Sequence, residues 1–293
     1  MNQKPLNTLV PDIYELLEKL SGGEPLPITE EALDLTMAAM KEAILSWATP
    51  RKRDTNFNIR MSNVGKPSRQ LWFEKRDPKG RGSVDGATQI KFLYGHVLEE
   101  IVLILVRMAG HNVTDEQKQV TVEGIVGHMD CKINGQVVDV KSASKFAFNK
   151  FRLGTLASDD PFGYLGQLAG YEKAEGTDEG GFLVINKESG ELCMFVPDDL
   201  DKPNIENTII TLKDELELDI PPKLCYNPTP DGKKGNMQLP KGCTWCKYKH
   251  QCHKSANDGE GLRTFKYSTG VKSLNKVSYN SLFLSSMWTG RFS

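Results

Sequence analysis

Two aspartates and a lysine flank a single turn: Gly127-His128-Met129-Asp130 precedes Asn134-Gly135, and Val138-Asp139-Val140-Lys141 follows it. Asn-Gly is a strong signal for a two-residue hairpin, because both residues accept positive φ. With those residues as the turn, Asp130 is expected to face Asp139 across the ladder, and His128 to face Lys141. Side chains alternate along a strand, so Asp139, Lys141 and Asp130 share one face. Two carboxylates held opposite each other repel unless a cation lies between them. Lys141 supplies part of that charge. A hard divalent cation such as Mg²⁺ supplies the rest, since it favours one or two carboxylates with phosphate oxygens and water. The plainer alternative, an exposed polar face with an Asp–Lys ion pair, fits poorly with Val137, Val138 and Val140 around these charges.

A second set of residues suits a different metal. Cys243-Thr244-Trp245-Cys246 is followed after five residues by Cys252, and a CxxC loop presents two thiolates to one ion or cluster. Cys225, just after Pro221-Pro222, is the first choice for a fourth ligand, with His250 or His253 behind it. Three thiolates and a histidine favour structural zinc, whereas four thiolates suit either Zn²⁺ or a [4Fe-4S] cluster. Such a centre is expected to pin a turn-rich segment that buries little apolar surface. Cys131 and Cys193 lie in strand patterns and are read as buried apolar residues.

Helices and strands must position these groups. Residues 11–20 and 30–47 read as amphipathic helices, the second started by Thr29 and carrying Leu33, Met37, Met40, Ile44 and Trp47. Thr88 to Ala109 is the clearest helix, with Ile90, Leu93, Tyr94, Val97, Leu98, Ile101, Leu105 and Met108 as its apolar stripe. The period then changes to that of strands at Gln119 to Val122, Ile125 to Ile133 and Gln136 to Lys141. A helix near 160–175, a hairpin turning at Glu188-Ser189-Gly190 and a helix at about 203–218 complete the pattern. The expected fold class is α/β or α+β around one core, with a cysteine-rich metal-binding segment near the C-terminus. The divisions are 1–47 helical, 48–220 core, 221–260 cysteine segment and 261–293 tail, the last with no usable pattern.

The 293 residues carry a formal net charge of -1, with 39% hydrophobic and 26% charged residues, enough apolar material for a real core. No run approaches the ~20 residues of a membrane span, and the N-terminus lacks a secretory pattern. A soluble, cytoplasmic protein with no membrane partner is expected. The near-neutral total hides clustering. Arg51 to Arg81 holds ten basic and three acidic residues, and Lys233 to Lys254 holds six lysines and no acid. Such clustering suits a polyanion-binding face, with Arg51, Arg53, Arg60, Lys66, Arg69, Lys247 and Lys249 as candidate phosphate contacts. Trp72 and Phe73 offer stacking surfaces, although core packing suits them better.

These motifs, taken in order, resemble the PD-(D/E)xK nuclease superfamily. Tyr94-Gly95-His96-Val97-Leu98-Glu99-Glu100 on a helix, Asp130, Asp139-Val140-Lys141 and Gln167-Leu168-Ala169-Gly170-Tyr171 match the helix acid, Asp, Asp-x-Lys and QxxxY of its RecB-type branch over roughly residues 60–255. The resemblance implies a restriction-endonuclease-like core, a central mixed sheet flanked by helices. It also implies Mg²⁺ (or Mn²⁺) held by Glu99, Asp130, Asp139 and the Val140 carbonyl, with Lys141 activating water and Gln167 and Tyr171 beside the site. Glu99 is favoured over Glu100 because Gly95 leaves room one turn before it, and Glu100 is expected to face solvent. His96 is an alternative first-motif ligand, and His128 an alternative substrate contact. Some members carry an iron–sulfur cluster whose last three cysteines are spaced C-x2-C-x5-C, as here. Their first cysteine precedes the helix acid, and this chain has none before Cys131.

The implied activity is metal-dependent DNA hydrolysis by a phage- or bacterial-type exonuclease acting on ends or single strands, with recombination or replication proteins as partners. A phage-encoded protein would act in the bacterial cytoplasm. The alternatives are a structure-specific endonuclease and a non-catalytic DNA-end-binding module with a structural metal site.

Overall fold

The turn at Asn134-Gly135 organises the central sheet of this chain, seen in a computed structural model that describes residues 4–49, 57–77, 84–268 and 270–278. Asn134 and Gly135 have φ of 51° and 85°, the left-handed values of a tight hairpin. Asn134 is buried, and its side chain accepts from the Asn112 N–H at 2.9 Å and donates to the Lys4 carbonyl at 2.8 Å. The register follows: Ile133 pairs with Gln136, and Cys131 with Val138.

In chain order the helices are α1 (Leu9–Ser21), α2 (Glu30–Ala48), α3 (Met61–Val64), α4 (Ser68–Arg76), α5 (Gly86–Met108), α6 (Lys145–Arg152), α7 (Tyr164–Glu175), α8 (Ile205–Glu217), α9 (Lys241–Thr244) and α10 (Lys249–Cys252). The strands are β1 (Val113–Thr114), β2 (Gln119–Val122), β3 (Ile125–His128), β4 (Cys131–Ile133), β5 (Gln136–Ala143), β6 (Gly181–Asn186), β7 (Leu192–Phe195), β8 (Thr229–Asp231), β9 (Asn236–Gln238), β10 (Arg263–Tyr267) and β11 (Gly270–Lys276).

Two compact units emerge. The first comprises 1–54, 58–66 and 83–213, and the second 55–57, 67–82 and 214–293. In the first, a mixed sheet of order β1-β4-β5-β6-β7 is flanked by helices, with β5 and β6 parallel and the other pairs antiparallel. β2 and β3 form a separate ribbon. Val137 and Ala143 of β5 pack with Phe148, Leu168 and Tyr171, whereas Val138 and Val140 pack with Leu9, Ile13, Val102, Leu103 and Val106. A strand covered on both faces reads as a nearly continuous apolar run, which is why its two charged residues stand out.

Three local expectations change. The segment expected as one strand over 125–133 is broken at Met129-Asp130, and β3 pairs with β2. His128 therefore opposes Gln119, not Lys141, and is exposed. α5 begins two residues earlier than expected, capped by Asp85, whose Oδ1 accepts from the Thr88 N–H at 2.9 Å. Its buried residues are Glu100, Val102, Leu103 and Val106, while Ile90, Tyr94 and Ile101 of the expected stripe are exposed. α2 has its Thr29 cap, accepting from the Ala32 N–H at 3.1 Å, but Thr36 is its sole buried residue.

The second unit contains α4, α9, α10 and a sheet of order β10-β11-β9-β8. The segment after 261, patternless in sequence, contributes β10 and β11, whose side chains are mostly exposed and so carry no apolar alternation. Among the described residues, no helix is long and apolar enough to cross a membrane.

Candidate active site

The two strands of the hairpin bring Asp130 and Lys141 to one cleft of 760 Å³ in the first unit, where Val140, Glu99, His96 and Gly95 also line the wall. Asp130 sits in the break after β3, and its Oδ2 accepts from the Val140 N–H at 2.8 Å. Asp139 lies behind the wall, only 1% exposed, and is ion-paired with Lys141. Beyond that ion pair, neither Asp139 oxygen has a hydrogen-bond partner of sound geometry among the described residues. A buried carboxylate with unsatisfied oxygens is costly, and it invites a cation.

Glu99 approaches from α5. Its neighbour Gly95 leaves that face open, since a Cβ there would meet only Ser142 Oγ at 3.7 Å. Gln117 joins the two elements: its side-chain amide donates to Glu99 Oε1 at 3.0 Å, and its backbone N–H donates to the Asp130 carbonyl at 2.9 Å. Glu100, expected to face solvent, is 8% exposed, with Oε2 unpartnered. One residue along a helix turns about 100°, which here carries Glu100 inward, near Arg107 and Glu116.

Burial first, then repulsion from Asp130 and Glu100, pushes the Glu99 carboxyl up to about 9, although Lys141 opposes this. Asp139 is pushed up to about 7, chiefly by burial, with Lys141 pulling it down and Asp130 raising it. Burial would lower the Lys141 pKa, but Asp139 and Asp130 outweigh it and raise the value. With all four groups ionised, Glu99, Asp130, Asp139 and Lys141 carry two net negative charges.

Among the described residues, no group of three or more His, Cys, Asp or Glu side chains stands in ligand geometry around one point. The chemistry of the donors still fits a divalent cation, because carboxylate oxygens are the ligands such ions prefer and Asp139 Oδ1 has no hydrogen-bond partner among the described residues.

Gln167 and Tyr171 do not line the cleft. Tyr171 is buried and its hydroxyl donates to the His128 carbonyl at 2.6 Å while accepting from Gln167 Nε2 at 3.1 Å. The pair thus holds the chain two residues before Asp130. Burial pushes the Tyr171 hydroxyl up to about 12.

The basic residues fall elsewhere. Arg51 and Arg53 lie outside the described residues, and Arg60 and Lys66, in the first unit, do not line the cleft. In the second unit Arg69 is engaged: Nε donates to Cys252 Sγ at 3.0 Å and Nη1 to the Pro222 carbonyl. The donors of this candidate phosphate contact are thus directed to protein acceptors. Lys249 donates to the Thr244 carbonyl at 3.1 Å, and Lys247 is exposed. Trp72 is buried, its Nε1 donating to the Leu218 carbonyl at 2.8 Å, and Arg76 lies 3.8 Å over its ring. Sequence reasoning missed Lys91, Lys187, Trp47 and Phe92, all of which line the carboxylate cleft. Their separation along the chain left no motif to find.

In the second unit Cys225, Cys243, Cys246, Cys252 and His253 line one cavity of about 20 Å³, enough for a single ion-sized body, whereas His250 is exposed. All six cysteines are free thiols. Burial pushes Cys243 up to about 12 and raises Cys225 and Cys246. Cys131 is buried and Cys193 half-buried.

No family model matches the chain, and no curated protein matches it. Among solved structures, an alkaline exonuclease (LHK-Exo) from Laribacter hongkongensis is similar at 17% identity and TM-score 0.38, covering 54% of this chain and 84% of that one. LHK-Exo in complex with dAMP is similar at 16% identity and TM-score 0.38, over 54% and 87%. A phage-related exonuclease from Haemophilus somnus 129PT is similar at 14% identity and TM-score 0.36, over 55% and 91%. These overlaps are loose, and the functional reading stands on the chain's own residues.

Proposed function

We propose that this chain is a metal-dependent deoxyribonuclease that hydrolyses phosphodiester bonds at DNA ends or in single strands. The observation that carries the reading is Asp139: a carboxylate 1% exposed, ion-paired through Oδ2 to Lys141, with no hydrogen-bond partner for Oδ1 among the described residues, beside Glu99 and Asp130. A structural role would be better served by an apolar residue, because a half-satisfied buried ionic cluster destabilises a fold.

Glu99, Asp130, Asp139 and the Val140 carbonyl would hold Mg²⁺ or Mn²⁺. When bound, such an ion supplies Lewis-acid stabilisation of the phosphate and a more acidic water. Lys141, held by Asp139, steadies negative charge developing on the phosphoryl oxygens and orients the attacking water. Gln167 and Tyr171 fix the segment that presents Asp130.

The four cysteines of the second unit would hold a structural centre, Zn²⁺ or [4Fe-4S], with Cys225 as the fourth thiolate and His253 beside it. Its support is that the four thiols line one cavity, although among the described residues they do not stand in ligand geometry around one point.

Digestion of linear and circular DNA, each single- and double-stranded, in Mg²⁺, Mn²⁺ or EDTA tests the activity. The expected result is metal-dependent loss of linear substrates with circles intact. Cleaved circles would indicate an endonuclease. Binding without cleavage in every metal would favour the end-binding module.

A further inference from the structure

Four residues of α5 that line the cleft recur at spacings of three and four: Gln89, Phe92, His96 and Glu99. That spacing places them on one helix face. From Gln89 to Glu99 the stripe runs about 15 Å at 1.5 Å per residue. It ends at the carboxylate and begins beside Trp47, whose indole N–H donates to the Gln89 carbonyl at 3.1 Å. Phe92 is 50% exposed, in a cleft that also receives Lys91 and Lys187. Neither lysine has an ion-pair partner among the described residues. An aromatic face alongside unpaired cations is the composition of a single-strand site: bases stack on rings while ammonium groups follow the phosphates.

Size selects the ligand further. A volume of 760 Å³ lies within the ~300–1,000 Å³ that encloses one drug-sized molecule, room inside the cleft for a nucleotide or two of one strand. We propose that Phe92, Trp47, Lys91 and Lys187 bind an unpaired DNA strand and lead its end along α5 to Glu99. The inference deepens the nuclease reading by naming the form of DNA that enters.

Fluorescence anisotropy tests it, using the full chain with Lys141→Ala in EDTA and two probes, a labelled short oligothymidylate and a labelled blunt hairpin duplex. The oligothymidylate should bind more tightly than the blunt duplex. Phe92→Ala combined with Lys187→Ala should weaken oligothymidylate binding by about tenfold or more, given the usual worth of one stacked base. Both side chains are exposed, so the melting temperature should not change. Equal or tighter binding of the blunt duplex, or a double variant that binds the oligonucleotide like its parent, overturns the proposal. Cleavage by the wild-type chain is scored separately: an active nuclease with unaltered binding in the double variant sinks the strand track alone. Lost binding with no cleavage in any metal sinks the nuclease reading alone.

A second observation stands independently. Gln117 has φ of 52°, a left-handed conformation costly for a side-chain-bearing residue, and it is the residue bonded to both Glu99 and Asp130. We infer that Gln117 is a positioning residue that fixes the Glu99 carboxylate relative to Asp130. Gln117→Gly separates this from a structural role, because glycine keeps the backbone bond, relaxes the backbone and removes the amide. The expected result is an equal or higher melting temperature with Mn²⁺ affinity, read by calorimetry, weakened by about tenfold or more, the usual effect of losing a group that orients a ligand. Unchanged Mn²⁺ affinity in Gln117→Gly, or no Mn²⁺ binding by the parent chain, overturns the inference. Because the readout is binding, it stands or falls apart from whether DNA is cut.

Discussion

The backbone N–H of Val140 donates to Oδ2 of Asp130 at 2.8 Å, across the gap where β4 has ended and β5 continues. That bond sets Asp130 level with the residue between Asp139 and Lys141. One tight turn thereby brings together two carboxylates and an ammonium that would otherwise repel or drift apart.

Repulsion in this cluster makes Asp139→Asn informative. Removing the charge should raise the melting temperature in EDTA at pH 8, by roughly 2–4 °C for each ~1 kcal/mol of strain released. The same variant should lose the stabilisation that Mg²⁺ gives the wild type. A variant less stable than wild type in EDTA would mean that the Asp139–Lys141 ion pair is a net contributor.

The pH dependence has a definite sign. Folded Glu99 and Asp139, at about 9 and about 7, lie above their ordinary values of 4.5 and 3.8. Between those limits the folded state binds more protons than the unfolded state, so this contribution falls as pH rises from about 4 to about 9. Melting curves in EDTA should therefore lose stability across that range relative to curves in saturating Mg²⁺. Parallel curves in the two media would contradict the placement of the acids.

The likeness between sequence and structure is greatest where a local rule acts alone. The Asn134-Gly135 turn sets the β4–β5 register, Thr29 caps α2, and the long period of α5 marks a helix. The break at Met129-Asp130 was invisible because apolar residues continue on both sides of it. The cause lies far away in sequence: a Cβ on Gly127 would come within 2.5 Å of Met61 and 2.8 Å of Tyr171, so β3 is held against α3 and α7 and leaves β5. Glu100 was misread for a similar reason, since the inward face of α5 shifts to Val102, Leu103 and Val106 where the sheet covers it. Of the cleft's other cations, Lys91 comes from α5 and Lys187 follows β6, and only the fold brings them beside Lys141.

Tyr171→Phe removes one hydroxyl and leaves the His128 carbonyl without that donor. The expected cost is about 0.5–1.5 kcal/mol of stability, the usual net worth of one hydrogen bond. Since Tyr171 does not line the cleft, kcat should fall while KM for DNA stays near wild type. A raised KM with unchanged kcat would assign the hydroxyl to substrate binding instead.

Cys246→Ser tests the second unit. The wild-type chain, purified without air, should contain zinc or iron, and the variant should bind less of it and melt at a lower temperature. An equally stable variant from a metal-free parent would exclude a structural centre there.

The central claim is tested most directly by following a labelled linear DNA strand with excess enzyme in Mg²⁺, comparing wild type with Lys141→Ala. Hydrolysis by the wild type that stops in EDTA and disappears in Lys141→Ala, while DNA binding persists, is the predicted result. Equal cleavage by Lys141→Ala would contradict it, because the activity would then arise outside the Asp130–Asp139–Lys141 hairpin.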